Sequence, residues 1–206
     1  MTPTPPRPGR LDEGSLTDVP QRAVTYWEPL WRDGRHYRPL ISQEEEVLAR
    51  YLGPGRGRSA LDIGCGAGEL ARHLHERLDY RVTAIDCAPT AIATASATPP
   101  NAGEIAFQLL DFATDDLRQL HEPAYSVITC RLVYRWVEDK PGFLHRVRSL
   151  LAPGGIFWVV TELAGCLEGE AKNRGLTTAE AEQLAANWSR CRTVNLDQLC
   201  CYALRP

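Results

Sequence analysis

The segment most able to do chemistry is a glycine-rich loop that joins an apolar run to a helical pattern. Asp62 opens this loop, and Gly64, Gly66 and Gly68 follow it at alternate positions. Glycines at this spacing let the backbone turn sharply, so a ligand can lie against main-chain atoms and the first amides of the following helix. An acidic residue, Asp86, ends the next apolar run about twenty residues further on, as a nucleotide loop requires. These residues predict a nucleotide-binding site.

The spacing within the loop restricts the class of nucleotide. A dinucleotide fingerprint would have its third glycine where this chain has Glu69, and the third glycine comes one residue earlier. A phosphate-binding Walker loop would need a lysine followed by serine or threonine, and the loop contains neither. The spacing therefore argues against NAD and ATP. The acidic start of the loop suits a ligand that presents an ammonium or sulfonium group.

Uncharged strands that alternate with amphipathic helices must position this loop. Strands are predicted at residues 59–63, 81–85, 105–110, 125–130, 156–161, 192–195 and 199–204. Helices are predicted from Ser42, at 69–78, at 89–97, at 115–120, at 139–151 and from Thr177, with capping boxes at Ser42–Glu45 and Thr177–Glu180. This alternation indicates an α/β fold with a parallel sheet covered on both faces, whose ligands bind at the carboxyl ends of the strands.

Four segments in order resemble the class I S-adenosylmethionine-dependent methyltransferases, in particular the small-molecule, type 11/25-like group. They are the loop 62–68, Ala84-Ile85-Asp86-Cys87, Leu110-Asp111-Phe112, and residues 125–134 followed by Leu151-Ala152-Pro153-Gly154-Gly155. The resemblance covers about residues 58–164. It implies a Rossmann-like seven-stranded, mostly parallel sheet with helices on both faces and an antiparallel last strand.

The resemblance also implies the cofactor and its ligands. The cofactor would be S-adenosylmethionine, with S-adenosylhomocysteine as the product. The loop would hold its methionine part, Asp86 its ribose hydroxyls, and Asp111 the adenine amino group beside Phe112. The implied cofactor-binding residues are Asp62, Gly64, Cys65, Gly66, Gly68, Asp86, Cys87, Asp111, Phe112, Cys130 and Arg131.

Three of these assignments have structural alternatives. Asp86 could cap the helix that follows it, and Asp111 could stabilise a turn, because aspartate is common where a strand enters a turn. Phe112 could belong to the core rather than to an adenine wall.

Candidates for catalysis lie in the N-terminal segment and after the fourth strand. We expect residues 21–56 to form a helical lid over the cofactor. Aromatic faces that favour a cation would come from Tyr26, Trp27, Trp31 and Tyr37, although the tryptophans could simply dock the helix on the sheet. Some family members carry histidines after the fourth strand, whereas this chain carries tyrosine and arginine there. The candidate catalytic residues are therefore Tyr37, His36 and Tyr134, and Arg131 and Tyr134 are candidates for contacting the acceptor.

Composition limits the partners. With 23 Lys and Arg against 26 Asp and Glu, no global field attracts DNA or a membrane surface. The chain shows no apolar run of membrane-spanning length and no signal-peptide pattern, and its seven cysteines fit reduced thiols, so we expect a cytoplasmic protein. We also expect a monomer or homodimer without a metal. Residues 1–20 are proline-rich and expected to be disordered, and residues 57–206 are expected to form the core domain.

The sequence thus favours methyl transfer to an O or N nucleophile of a small molecule, with natural-product tailoring as one such role. Two alternatives remain at this point. The acceptor could be a protein or RNA, or the chain could bind S-adenosylmethionine on the same fold without transferring methyl.

Overall fold

A seven-stranded sheet forms the centre of the computed structural model, which describes residues 23–35, 37–97, 105–164 and 175–206. Within these residues the strands are β1 (Ser59–Ile63), β2 (Arg81–Asp86), β3 (Ile105–Leu109), β4 (Tyr125–Arg131), β5 (Leu151–Glu162), β6 (Arg190–Leu196) and β7 (Leu199–Arg205). The α-helices described are α1 (Ala23–Arg32), α2 (Ser42–Leu52), α3 (Glu69–Glu76), α4 (Pro89–Ala97), α5 (Lys140–Leu150) and α6 (Thr178–Ala185). Two short 3₁₀ turns lie at Leu117–Gln119 and Tyr134–Trp136.

The sheet has the order β3-β2-β1-β4-β5-β7-β6. Strands β1 to β5 pair in parallel, and β7 pairs antiparallel with β5 and β6. This confirms the predicted α/β fold with a mostly parallel sheet and an antiparallel last strand. The strand order reverses between β1 and β4, so their carboxyl ends border the crevice where open α/β sheets bind ligands.

Both faces of the central strands are buried. Phe157 and Val159 of β5 belong to one apolar core cluster, and Trp158 and Val160 belong to the cluster on the opposite face. Side chains alternate between faces along a strand, so a strand covered on both sides has a continuous apolar run. This is why the run at residues 156–161 is recognisable in the sequence.

Several predicted elements differ in the structure. Helix α3 ends at Glu76 rather than at 78, and the helix expected at 115–120 is only the 3₁₀ turn at Leu117–Gln119. The Ser42–Glu45 capping box is wrong: Ile41 is the N-cap without a side-chain bond, and the Glu45 carboxylate instead lies 3.4 Å from the His73 ring. Strand β5 starts at Leu151 rather than at 156, because Leu151 pairs with Tyr125 before an irregularity in the register. The predicted capping box at Thr177 and Glu180 is confirmed.

The N-terminal segment contains two different helices. Helix α2 places Leu48 and Leu52 in a core cluster, whereas α1 has no buried residue. Polar contacts attach helix α1 to α4: the Glu28 carboxylate accepts hydrogen bonds from the Thr90 hydroxyl at 2.7 Å and from the Thr90 amide at 3.0 Å. The predicted disordered tail, residues 1–20, lies outside the described residues.

Candidate functional site

The glycine loop connects β1 to α3 at the point where the strand order reverses. The Gly64 and Cys65 amides both donate to the Ile85 carbonyl, at 2.8 and 2.9 Å, and so hold the loop against the end of β2. Gly64 has a φ of +69°, and a Cβ there would overlap the Val133 side chain. Gly66 has a φ of +54°, and a Cβ there would approach the Trp31 ring to 3.0 Å. A residue larger than glycine at either position would therefore strain the loop.

Asp86 lies directly under this loop. Its Oδ2 accepts the Gly66 amide at 3.0 Å and its Oδ1 accepts the Ala88 amide at 2.9 Å. The side chain is buried, and burial raises the pKa of Asp86, while the bonds from Ala88 and Gly66 lower it. Each carboxylate oxygen has a second lone pair, so Asp86 can accept two further donors. The bond to Ala88, at the entry to α4, means that Asp86 also stabilises the start of that helix.

Asp62 provides a second buried carboxylate at the end of β1. Its Oδ1 accepts the Thr129 hydroxyl at 2.7 Å, but Oδ2 is buried with no hydrogen-bond partner in the described part of the chain. Burial raises the pKa of Asp62 to about 6, against the lowering effects of Thr129 and Arg131. A buried carboxylate oxygen without a partner is costly, and a donor or cation at the loop would relieve that cost.

Cys87 and Asp111 line a cavity of about 200 Å³ to which α1 contributes Val24. The Asp111 side chain also forms the turn that the sequence allowed, because its Oδ1 accepts the Ala113 amide at 3.0 Å. Phe112 does not join them: its side chain is buried in the core, with its ring centroid 4.9 Å from that of Phe143. The structure thus brings Cys87 and Asp111 together and gives Phe112 the core role that the sequence left open.

The loop cysteine and the β4 cysteine are also core residues. Cys65 and Cys130 are both buried, and burial raises the pKa of each thiol above its usual range. They can meet a ligand at the loop only through main-chain atoms, so their small size is what matters here.

Arg131, expected at the cofactor or acceptor, is instead bound within the protein. Its Nε and Nη2 donate to the two Glu44 oxygens at 2.7 and 3.0 Å, and Nη1 donates to the Arg38 carbonyl at 2.8 Å. Nη2 also reaches the Pro39 carbonyl at 3.0 Å. All three guanidinium nitrogens are engaged within the protein, so the side chain positions the 38–39 turn. Glu44 is not among the residues that the sequence predicts for the site, because nothing in its local pattern links it to Arg131.

Tyr134 is not placed for catalysis. The residue is fully buried beside Phe143, and its hydroxyl has no partner in the described part of the chain. Burial raises the pKa of Tyr134 above its usual range, so the hydroxyl stays protonated at neutral pH and is not available as a base. The expectation of a catalytic Tyr134 is therefore corrected: the 3₁₀ turn after β4 directs this side chain into the core.

Tyr37 has an accessible side chain next to the loop, whereas His36 lies outside the described residues. Tyr37 is 40% exposed, and its pKa is raised mainly by partial burial, with a smaller contribution from Asp86. Its hydroxyl is therefore protonated at neutral pH and can donate a hydrogen bond.

Five aromatic side chains form what we call the aromatic wall, at the carboxyl ends of the strands. Ring centroids are 5.0 Å apart for Tyr26 and Trp27, 5.1 Å for Trp27 and Trp136, 5.7 Å for Trp27 and Tyr37, and 5.2 Å for Trp31 and Tyr37. The wall starts over Gly66, where Trp31 lies, and ends at Trp136, which is 43% exposed. It joins the N-terminal helix to the turn after β4.

Two absences hold for the described residues. No cluster of three or more His, Cys, Asp or Glu side chains there could hold a metal ion. The described helices include none with the length and apolar character needed to cross a bilayer.

Comparison with known proteins places this site in a family context. Residues 61–157 match the family model for a methyltransferase domain. Curated relatives include a ubiquinone biosynthesis O-methyltransferase of Caulobacter sp., 34% identical over 73% of this chain and 63% of the relative. Another is a trans-aconitate 2-methyltransferase of Mycobacterium tuberculosis, 31% identical over 69% of this chain and 50% of the relative. The chain thus spans between half and two thirds of the length of these relatives.

Solved structures share the fold at low sequence identity. The DhpI–SAM–HEP complex has a TM-score of 0.67 and 20% identity, covering 90% of this chain and 97% of that one. The plantazolicin methyltransferase BpumL in complex with SAH has a TM-score of 0.61 and 16% identity, covering 78% and 81%. The fold is therefore that of the class I methyltransferases.

Proposed function

Residues 61–157 of this chain carry a methyltransferase domain on the class I fold, and from that premise we propose that the chain is an S-adenosylmethionine-dependent methyltransferase. We further propose that it methylates an O or N nucleophile of a small molecule. The observation that carries this proposal is the pairing of the glycine loop with Asp86, whose carboxylate lies under the loop and keeps acceptor capacity.

The residues present fit the cofactor. Asp86 can accept the ribose hydroxyls, and the cavity beside Cys87 and Asp111 offers a place for the adenine. The partnerless Oδ2 of Asp62 fits a cationic group at the loop. The alternating glycines leave the loop backbone open to close approach, as a ligand that lies on main-chain atoms requires.

When bound, S-adenosylmethionine supplies a methyl group already activated by a sulfonium. The protein then has to align the acceptor and exclude water, which raises the rate chiefly by fixing geometry. Helix α1 and the aromatic wall would cover the loop and exclude water. Tyr37 would donate a hydrogen bond near the loop, because its hydroxyl stays protonated at neutral pH. In this proposal, Arg131 acts as a positioning residue that holds the 38–39 turn.

The sequence relatives support a small acceptor, since their names state small-molecule methylation reactions. We retain as proposals the lid over residues 21–56, the core over 57–206, a cytoplasmic location, a monomer or homodimer, and no DNA partner. The cofactor-binding set also stands as a proposal, with Cys65 and Cys130 acting through the main chain and with Phe112 and Arg131 in supporting roles.

The test is transfer of a labelled methyl group. The full chain is incubated with methyl-labelled S-adenosylmethionine and a small-molecule extract of the producing cell, and products are separated by chromatography. We expect a labelled small product that disappears when the protein is heat-denatured. Label found only in protein or RNA, when these are added, would replace the small acceptor with a macromolecular one. Bound cofactor without any labelled product would indicate binding without transfer.

A further inference from the structure

Beside the aromatic wall, the Glu162 carboxylate forms loose ion pairs with two arginines, Arg38 and Arg135. Arg38 Nη2 lies 3.7 Å from Glu162 Oε1, and Arg135 Nη1 lies 3.8 Å from Glu162 Oε2. Both distances exceed those of hydrogen bonds. The Glu162 carboxylate therefore lies between two guanidinium groups without a close bond to either.

Among the described residues, three arginines at this edge are paired with two glutamates. The neighbouring Arg131 is neutralised by Glu44 through two short bonds. Arg38 and Arg135 then have Glu162 as their shared ion-pair partner in the described part of the chain, while Arg38 also donates to the neutral Gln198 amide oxygen at 2.7 Å. The group Arg38, Arg135 and Glu162 thus carries one net positive charge.

The same group is continuous with the aromatic wall. The Arg135 guanidinium lies 4.3 Å from the Trp136 ring centroid, and Trp136 in turn lies 5.1 Å from Trp27. The Arg135 and Glu162 side chains are less than one fifth exposed, so a charge placed there would be only weakly screened. An exposed ring ending at a partly desolvated arginine suits a flat molecule with an acidic end.

We infer that the methyl acceptor is a flat, unsaturated carboxylic acid whose carboxylate binds between Arg38 and Arg135 while its body lies on the aromatic wall at Trp136. This inference rests on the proposed function and adds the class of substrate. Planar guanidinium groups match the geometry of a carboxylate, and Glu162 shows that the space between the two arginines accepts one. The incoming carboxylate would compete with Glu162 for the same donors.

Because the two carboxylates compete, the binding affinity of an added carboxylate should change in a predictable direction when either arginine or Glu162 is replaced. Tryptophan fluorescence of the full chain, saturated with S-adenosylhomocysteine, is titrated with benzoate and with its uncharged isostere benzamide. We expect saturable quenching by benzoate, and binding of benzamide that is weaker by about tenfold or more, as expected for lost bonds to charged groups. Arg38→Gln and Arg135→Gln should each weaken benzoate binding by about tenfold, whereas Glu162→Gln should strengthen it.

Arg148→Gln is the matched control, since Arg148 covers the Trp188 ring at 4.2 Å as Arg135 covers Trp136. It should leave benzoate binding unchanged. Equal binding of benzoate and benzamide would overturn the inference, and so would a Glu162→Gln variant that loses benzoate binding to the same extent as Arg135→Gln. Calorimetry with S-adenosylhomocysteine separates the two claims: absence of that binding would contradict the proposed function, whereas its presence without discrimination between the probes would contradict the acid site alone.

Discussion

The Glu44 carboxylate and the Arg131 guanidinium form a two-point ion pair, with Nε to Oε1 at 2.7 Å and Nη2 to Oε2 at 3.0 Å. Glu44 is fully buried, and Arg131 is 12% exposed in its side chain. The pair joins the first turn of α2 to the end of β4, and the same guanidinium binds two carbonyls of the turn that leads into α2. The N-terminal segment is thereby fixed at the carboxyl ends of the strands.

Removing one partner of this pair should destabilise the fold. Glu44→Gln leaves the Arg131 charge partly buried without its counter-ion, which we expect to lower the free energy of unfolding by about 3 kcal/mol. Urea denaturation at neutral pH measures this change. The control is Glu46→Gln, a change two positions along the same helix at an exposed residue. Equal stability of the two variants would show that the ion pair contributes little.

The close contact between Gly64 and Val133 should make the loop intolerant of a methyl group. Gly64→Ala combines left-handed strain with overlap on Val133, whereas Gly34→Ala has a similar φ, +71° against +69°, with nothing within 4 Å. We expect Gly34→Ala to cost about 1 kcal/mol and Gly64→Ala about 1–3 kcal/mol more, measured by urea denaturation. Val133→Ala in the Gly64→Ala background should recover part of that difference. No recovery would place the cost elsewhere than in this contact.

Tyr134 should stabilise the fold through its ring and not through its hydroxyl. Because the hydroxyl is buried with no partner among the described residues, Tyr134→Phe should leave the unfolding free energy unchanged or raise it by about 1 kcal/mol. Methyl transfer should also be unchanged. Loss of activity in Tyr134→Phe at unchanged stability would restore its catalytic role.

Tyr37→Phe, which removes an exposed hydroxyl near Asp86, should reduce kcat while leaving the stability intact.

Asp62 should make stability depend on pH. Its pKa of about 6 in the folded state lies above its ordinary value, so the folded chain binds the proton more tightly than the unfolded chain. The contribution to stability is therefore present in full below about pH 4 and is lost as the pH rises through 6. Asp62→Asn, which cannot ionise, should show a stability relative to the native chain that increases over this interval. A pH-independent difference between the two proteins would contradict the raised pKa.

Local patterns account for the parts of this molecule that the sequence predicts well. Strands β1 and β4 are short runs buried on both faces, and the glycine loop between β1 and α3 is defined by adjacent residues. The errors arise where a partner is distant: Glu44 and Arg131 are 87 positions apart, and no spacing rule links them. Glu45 likewise does not form the expected capping box because it faces His73 on another helix. The sequence does not show that Tyr134 is buried, because the residue lies in a 3₁₀ turn, which has no strong periodic pattern.

The central claim is that the loop and Asp86 bind S-adenosylmethionine, and titration calorimetry of the full chain measures this most directly. We expect one-to-one binding of S-adenosylmethionine and S-adenosylhomocysteine. Asp86→Ala should weaken that binding by about 1.5–3 kcal/mol, the loss expected for charge-assisted hydrogen bonds. The control Asp197→Asn alters an exposed aspartate at a φ of +49° that asparagine tolerates, and it should bind like the native chain. Absence of heat with either cofactor form, together with clear binding of NADH, would contradict the account.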